Sequence, residues 1–107
     1  GIIWKDRPIA TDRPALTGLN QEAHAATMGL RTGAEPWKCA DGTFIVLENN
    51  DVRALLSAAR DHVRACFMAE AAVRASIDER RITTFEQIPA ALRQAYDQNK
   101  PAPKQGT

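Results

Sequence analysis

The feature that most constrains the fold is a helix too long for the chain that carries it. From residue 51 to about residue 78, Val52, Leu56, Ala59, Val63, Cys66, Val73 and Ile77 recur in steps of four and three, with Glu70 as the one interruption. Leu55, Phe67, Ala69 and Ala72 widen the stripe, while Arg53, Arg60, Asp61, Arg64, Arg74 and Glu79 fall mostly elsewhere on the wheel. About 27 residues at 1.5 Å each make a rod of roughly 40 Å. That exceeds the diameter expected of a compact domain of 107 residues. Part of the stripe should therefore project past the rest of the fold, or be covered by a second copy or a partner.

The residues before this helix predict two short hairpins and one other helix. Ile2, Ile3 and Trp4 are strand formers, Lys5-Asp6 offers a turn, and Pro8-Ile9-Ala10 returns along an edge, because Pro8 has no N–H for a ladder. Thr11 or Asp12 can cap a helix over about residues 13–28, with Pro14 in its first turn and Leu16, Leu19, Ala23 and Ala26 as its stripe. Gly18 inside it either weakens the helix or marks a close packing contact, and Gly29 is a natural C-cap. Asp41-Gly42, flanked by Trp37 and Cys39 on one side and Phe44 and Val46 on the other, predicts a second hairpin with a type I′ turn. Thr43, Ile45 and Leu47 take the opposite face of its second strand. Asn49 or Asn50 then caps the long helix, with Asp51 adding negative charge to the first turn.

After the long helix, Thr83 and Glu86 have capping-box spacing. Pro89 can start a last helix reaching about residue 98, with Leu92, Ala95 and Tyr96 as contacts, folding back on the long helix. The expected fold class is α+β: two short hairpins against a first helix and a long central helix, with a short C-terminal helix. The expected organisation is a single domain over 1–99 and an extended polar tail over 100–107.

Composition narrows the function classes. The aromatic share is only 6%, so Ala, Leu, Val and Ile must fill the core. A net charge of +1 from dispersed Lys and Arg gives no basic face for nucleic acid. No apolar run approaches the roughly 20 residues of a membrane helix. No signal-peptide pattern opens the chain, and a start at Gly1 rather than Met is what a segment inside a longer gene product would show.

The candidate chemistry is thin. His24 and His62 are the only histidines, and although Cys66 lies one turn after His62, two ligands do not make a zinc site. The bland reading has His62 exposed beside a buried, inert Cys66. Cys39 and Cys66 are not a CxxC pair; they read as buried free thiols, with a disulfide as the alternative. There is no phosphate-binding glycine loop and no acid, base and nucleophile constellation, so a small hydrolase has nothing to recommend it. No catalytic, cofactor or metal residue is assigned, and no enzyme activity is expected. Trp4, Trp37 and Tyr96 could instead stack a sugar, which would require rings exposed together in a cleft.

The run Trp37-Lys38-x-Ala40-Asp41-Gly42-x-Phe44-x-x-Leu47, then Val52-Arg53-Ala54-Leu55, then His62-Val63-Arg64-Ala65-Cys66-Phe67-x-x-Glu70-Ala71, resembles a small domain of unknown function found in tail proteins of bacteriophages and prophages. Trp4-Lys5-Asp6, Thr11-Asp12 and Leu16-Thr17-Gly18 are similar to the short segments that precede these motifs in that family. The resemblance covers about residues 1–77, and the segment from Phe85 onward looks like an extension. It implies a setting in the virion tail, or in the bacterial cytoplasm during assembly, with no catalytic residues to carry over. Taken with the over-long stripe, it gives the expected function: a structural or assembly protein of the tail or tail fibre, working as a protein–protein interaction module. The expected partners are other tail or tail-fibre proteins, or a second copy through the long helix, with no nucleic acid and no membrane. The interface candidates are Leu56, Val63, Phe67, Val73, Ile77, Leu92 and Tyr96. Host-receptor or glycan binding through the aromatic residues is the alternative.

Overall fold

The computed structural model describes residues 1–100. The tail expected over 100–107 therefore lies, from residue 101 on, outside the described residues. The fold is α+β, with two antiparallel hairpins, a first helix, a long helix and a short last helix. Packing divides the chain within the long helix into two compact units, Gly1–Arg60 and a second that begins at Asp61.

In the first unit, β1 (Ile2–Trp4) pairs with β2 (Arg7–Ile9). Lys5 and Asp6 between them have φ of 47° and 64°. Two consecutive positive φ values are the type I′ signature, whose twist matches that of the strands. Alternation then turns Ile2, Trp4 and Ile9 inward and leaves Ile3 in solvent. α1 (Arg13–Thr27) starts where the Asp12 carboxylate accepts the Ala15 N–H at 3.0 Å. It stops at Gly29, φ 73°, in a Schellman motif: the Leu30 N–H reaches the Ala25 carbonyl and the Gly29 N–H reaches that of Ala26. Gly18 marks a close contact, since a Cβ there would lie 3.0 Å from Cη2 of Trp37.

β3 (Glu35–Lys38) and β4 (Phe44–Leu47) pair with Trp37 opposite Ile45. Their connection is not the expected type I′ turn. Of its residues only Gly42 has positive φ, 86°. The Gly42 N–H bonds the Cys39 carbonyl at 3.0 Å and the Cys39 N–H bonds that of Thr43 at 2.7 Å. This is the three-residue loop with a left-handed glycine. The Asp41 carboxylate stays outside the ladder and accepts the Thr43 hydroxyl at 2.6 Å and its N–H at 3.0 Å. Those two bonds, the hydroxyl first, hold the Asp41 pKa below its ordinary value. The hairpins do not merge into one sheet. The Ala40 N–H bonds the Pro8 carbonyl at 2.9 Å, and Arg7 reaches the Thr43 hydroxyl at 3.2 Å. Pro8 can accept but not donate, which stops a ladder from continuing.

α2 (Asn49–Asp78) holds 30 residues, about 45 Å of helix. Neither Asn49 nor Asn50 caps it. The Glu48 carbonyl receives the Val52 N–H, and the Asp51 carboxylate reaches back to the Glu48 N–H at 3.1 Å. Asp51 performs the returning half of a capping box, with the cap one residue earlier than the asparagines suggest. Asp51 also binds Lys5 at 3.0 Å, fastening the first hairpin to this helix. The Glu48 N–H above all, and then Lys5, keep its carboxyl pKa low. The core of the first unit is Ile9, Leu19, Cys39, Leu47, Val52, Leu55 and Ala59, flanked by Leu16, Trp37, Ile45 and Leu56.

In the second unit the buried positions of α2 are Ala65, Ala69 and Val73. Of the expected stripe in this unit, Val73 is buried and Val63 half-buried, whereas Cys66 and Ile77 are exposed. Ala65, one place before Cys66, turns inward with Ala69. α2 ends in a second Schellman motif, with Arg80 in the left-handed position at φ 59°, the Arg81 N–H on the Ser76 carbonyl and the Arg80 N–H on that of Ile77. A 3₁₀ turn, Phe85–Gln87, follows. Its cap pair is Thr84 and Gln87, not Thr83 and Glu86: the Gln87 side-chain carbonyl accepts the N–H groups of both Thr83 and Thr84, at 2.8 and 3.1 Å. α3 (Ile88–Asn99) has Pro89 in its first turn and buries Ala95. It packs on the end of α2, as expected, with Ala72, Val73 and Ser76 facing Ala91 and Ala95 across a shallow groove.

Candidate functional site

The second unit contains a small polar cluster. His62 and Cys66 stand one turn apart on α2, so their side chains share a face. His62 Nε2 lies 3.7 Å from Cys66 Sγ, and its Nδ1 lies 2.7 Å from the hydroxyl of Tyr96 on α3. The imidazole and phenol rings also meet edge to face, 5.4 Å between centroids. Burial pushes the His62 pKa below its ordinary value, so the ring is neutral at pH 7. The expected roles are reversed. Cys66 is the exposed member and His62 the half-buried one, because the buried seam passes through Ala65 and Ala69. Both cysteines are free; Cys39 is the buried one, packed in the core of the first unit.

The second feature of this unit is an inverted distribution of apolar side chains. Its buried residues are three alanines and Val73, whereas Phe67, Met68, Ile77, Phe85 and Leu92 are exposed. Phe67 is 65% exposed and Phe85 is 87% exposed. At 100° per residue, Phe67 lies on the side of α2 opposite Ala65 and Ala69. Ile77 and Phe85 line a small depression with Ile82 and Ile88, about 150 Å³ in volume.

The interface candidates thus separate. Phe67, Ile77 and Leu92 are exposed; Val63 is half-buried. Leu56 is half-buried against the core of the first unit, and Val73 is buried. Tyr96 is half-buried and bonded to His62. Phe85 has the greatest exposure of the large apolar residues and was not among the candidates. Its place in a Thr-Thr-Phe-Glu turn too short to bury a ring was the available signal. The Tyr96 contact, 34 positions from His62, had none.

In the first unit, Trp4 and Trp37 are half-buried against the core, with Trp4 Nε1 buried and without a hydrogen-bond partner. Ile3, Phe44 and Val46 are its exposed apolar residues on strands. Arg31, which no sequence pattern singles out, is buried; its guanidinium bonds the Leu47 carbonyl at 2.7 Å and meets Glu35 at 3.3 Å and Glu22 at 3.8 Å. Among the described residues no group of three or more His, Cys, Asp or Glu side chains could hold a metal ion. Nor is any helix among them long and apolar enough to cross a membrane.

No curated protein and no solved structure matches the chain. Residues 1–98 match a family described as a domain of unknown function, DUF4376, and the chain belongs to that family.

Proposed function

We infer that this protein is a non-enzymatic protein–protein interaction module of a phage or prophage tail, a structural or assembly component of the tail or tail fibre. The observation that carries the interaction reading is the inverted second unit, with alanines inside and Phe67, Phe85, Ile77 and Leu92 outside. Burying exposed apolar surface stabilises a complex by roughly 25 cal/mol per Å² before the costs of association. Two phenylalanines of this exposure are the kind of anchor that dominates such contacts. The tail setting rests on the resemblance of the hairpin and helix motifs. The glycan reading draws no support from the rings, since both tryptophans pack on the core of the first unit and Tyr96 is tied to His62.

The test is sedimentation velocity over a concentration series, alone and with the tail and tail-fibre proteins encoded beside the gene. Association that is lost in the Phe67→Ser, Phe85→Ser double variant is the expected result. A well-folded monomer that binds none of those proteins would overturn the reading.

A further inference from the structure

We propose that a second copy of this chain covers the exposed face of the second unit, with the two α2 helices antiparallel and Phe67 of each seated in the depression beside Ile77 of the other. This rests on the interaction reading and adds to it a named occupant and a register. Phe67, Glu70, Arg74 and Ile77 follow one another in steps of three, four and three, so they share one face of α2. All four are exposed, and the face lies away from the buried Ala65 and Ala69. Among the described residues neither Glu70 nor Arg74 enters an ion pair.

The order apolar, acidic, basic, apolar is its own complement when reversed. Positions 67 and 77 lie symmetrically about 72, and so do 70 and 74. A two-fold axis at Ala72 therefore sets Phe67 beside the second copy's Ile77 and Glu70 beside the second copy's Arg74, each contact occurring twice. That reciprocity is what an isologous interface requires. A parallel pair in register would instead oppose Glu70 to Glu70 and Arg74 to Arg74, and the like charges select against it. Shape agrees with charge. The depression lined by Ile77, Ile82, Phe85 and Ile88 measures about 150 Å³, a volume that holds one benzene ring. Phe67 and Ile77 stand about 15 Å apart along the helix, so both rings seat at once. At their exposures, Phe67 and Phe85 of the two copies present on the order of 600 Å² of aromatic surface. That is about half of what the smaller stable interfaces bury, so the charged pairs decide whether the dimer holds.

Sedimentation velocity of the full chain over a concentration series should show a monomer–dimer equilibrium. Glu70→Arg gathers arginines from both copies at the axis, and Arg74→Glu gathers glutamates. Each variant should dimerise about tenfold more weakly than the wild type. Mixed in equal amounts, the two should recover the wild-type affinity as a heterodimer, because every pair across the axis is then of opposite charge. A misfolded variant could not give that recovery. A dimer indifferent to both single variants, or a mixture no tighter than either alone, would overturn the antiparallel register and the proposal with it. A wild-type monomer that binds a tail protein through Phe67 and Phe85 would overturn the self-pairing and leave the interaction reading standing, whereas a monomer that binds none would overturn both.

Discussion

Arg31 keeps 2% of its side chain exposed, yet its charge is answered only by Glu22 and Glu35, both of which are near half exposed. The short bond is to the Leu47 carbonyl, at the point where β4 gives way to α2. Replacing Arg31 with methionine strands that carbonyl, but the carboxylates can turn to water. The expected loss is therefore about 2 kcal/mol, below the 3–5 kcal/mol of a fully buried pair. Urea unfolding should register it, and lysine should not restore it, because a single ammonium cannot span the carbonyl and two carboxylates. Gly18 is the complementary case. Its hydrogen lies under the Trp37 ring, so Gly18→Val should cost about 2 kcal/mol through overpacking and much less in a Trp37→Leu background. The Gly18 contact was one of two readings the sequence left open, the other being a weakened helix, and the Trp37 ring beside it decides between them. Arg31 was not open to reading: its partners come from α1, β3 and β4, and nothing local distinguishes it from a solvated arginine.

At the scale of the elements, local chemistry was legible where one residue type alone could serve, and illegible where two neighbours could. Asp12 with Pro14 placed the start of α1, and Gly29 its end. The pairs Thr83/Glu86 and Thr84/Gln87 satisfy one spacing equally, and only the path of the chain into α3 selects the second. The I′ turn went to Lys5-Asp6 and not to Asp41-Gly42, because the Asp41 carboxylate holds Thr43 and its backbone has no need of positive φ. In α2 the expected stripe is buried at Val52, Ala59 and Val73, but Cys66 and Ile77 on it are exposed and Ala65 and Ala69 turn inward instead, since an alanine carries too little apolar signal to mark a buried position. The two helix ends offer a direct comparison. Both are Schellman motifs, with Gly29 in one and Arg80 in the other at the left-handed position. A side chain there costs roughly 1 kcal/mol. Arg80→Gly should therefore raise the unfolding free energy by about 0.5–1 kcal/mol, and Gly29→Ala should lower it by a similar amount, both read from urea midpoints. The α2–α3 contact adds a pH dependence. His62 has a lowered pKa in the folded state, so its contribution is fully present above about pH 6.5, the unfolded value, and is lost as pH falls through the folded value. Melting temperature should drop on acidification through this range, and the component due to His62 should vanish in His62→Gln.

Taken whole, the molecule joins two units of unequal substance through one helix. The first buries Ile9, Leu19, Leu47, Val52 and Leu55 completely, and each such side chain contributes about 1.5–3 kcal/mol. The second buries Ala65, Ala69, Ala95 and Val73, which together bring only a few methyl groups; Phe67 and Phe85 add little while they face water, and its other large apolar residues are only partly covered. A continuous helix therefore does not imply a single cooperative transition. Native-state hydrogen exchange should show amides of α3 and of the last turns of α2 opening at a free energy a few kcal/mol below that of the β3–β4 ladder and the first half of α2. Equal protection in both units would contradict the unequal cores. The same difference makes the interaction reading measurable. A partner that covers Phe67 and Phe85 adds to the second unit the buried surface it lacks, so binding should raise protection there by RT ln(1 + [L]/Kd), about 2.7 kcal/mol at a hundredfold excess over Kd. Protection of the first unit should change little. A partner that instead protected β4, where Phe44 and Val46 are exposed, would move the interaction surface to the sheet face of the first unit.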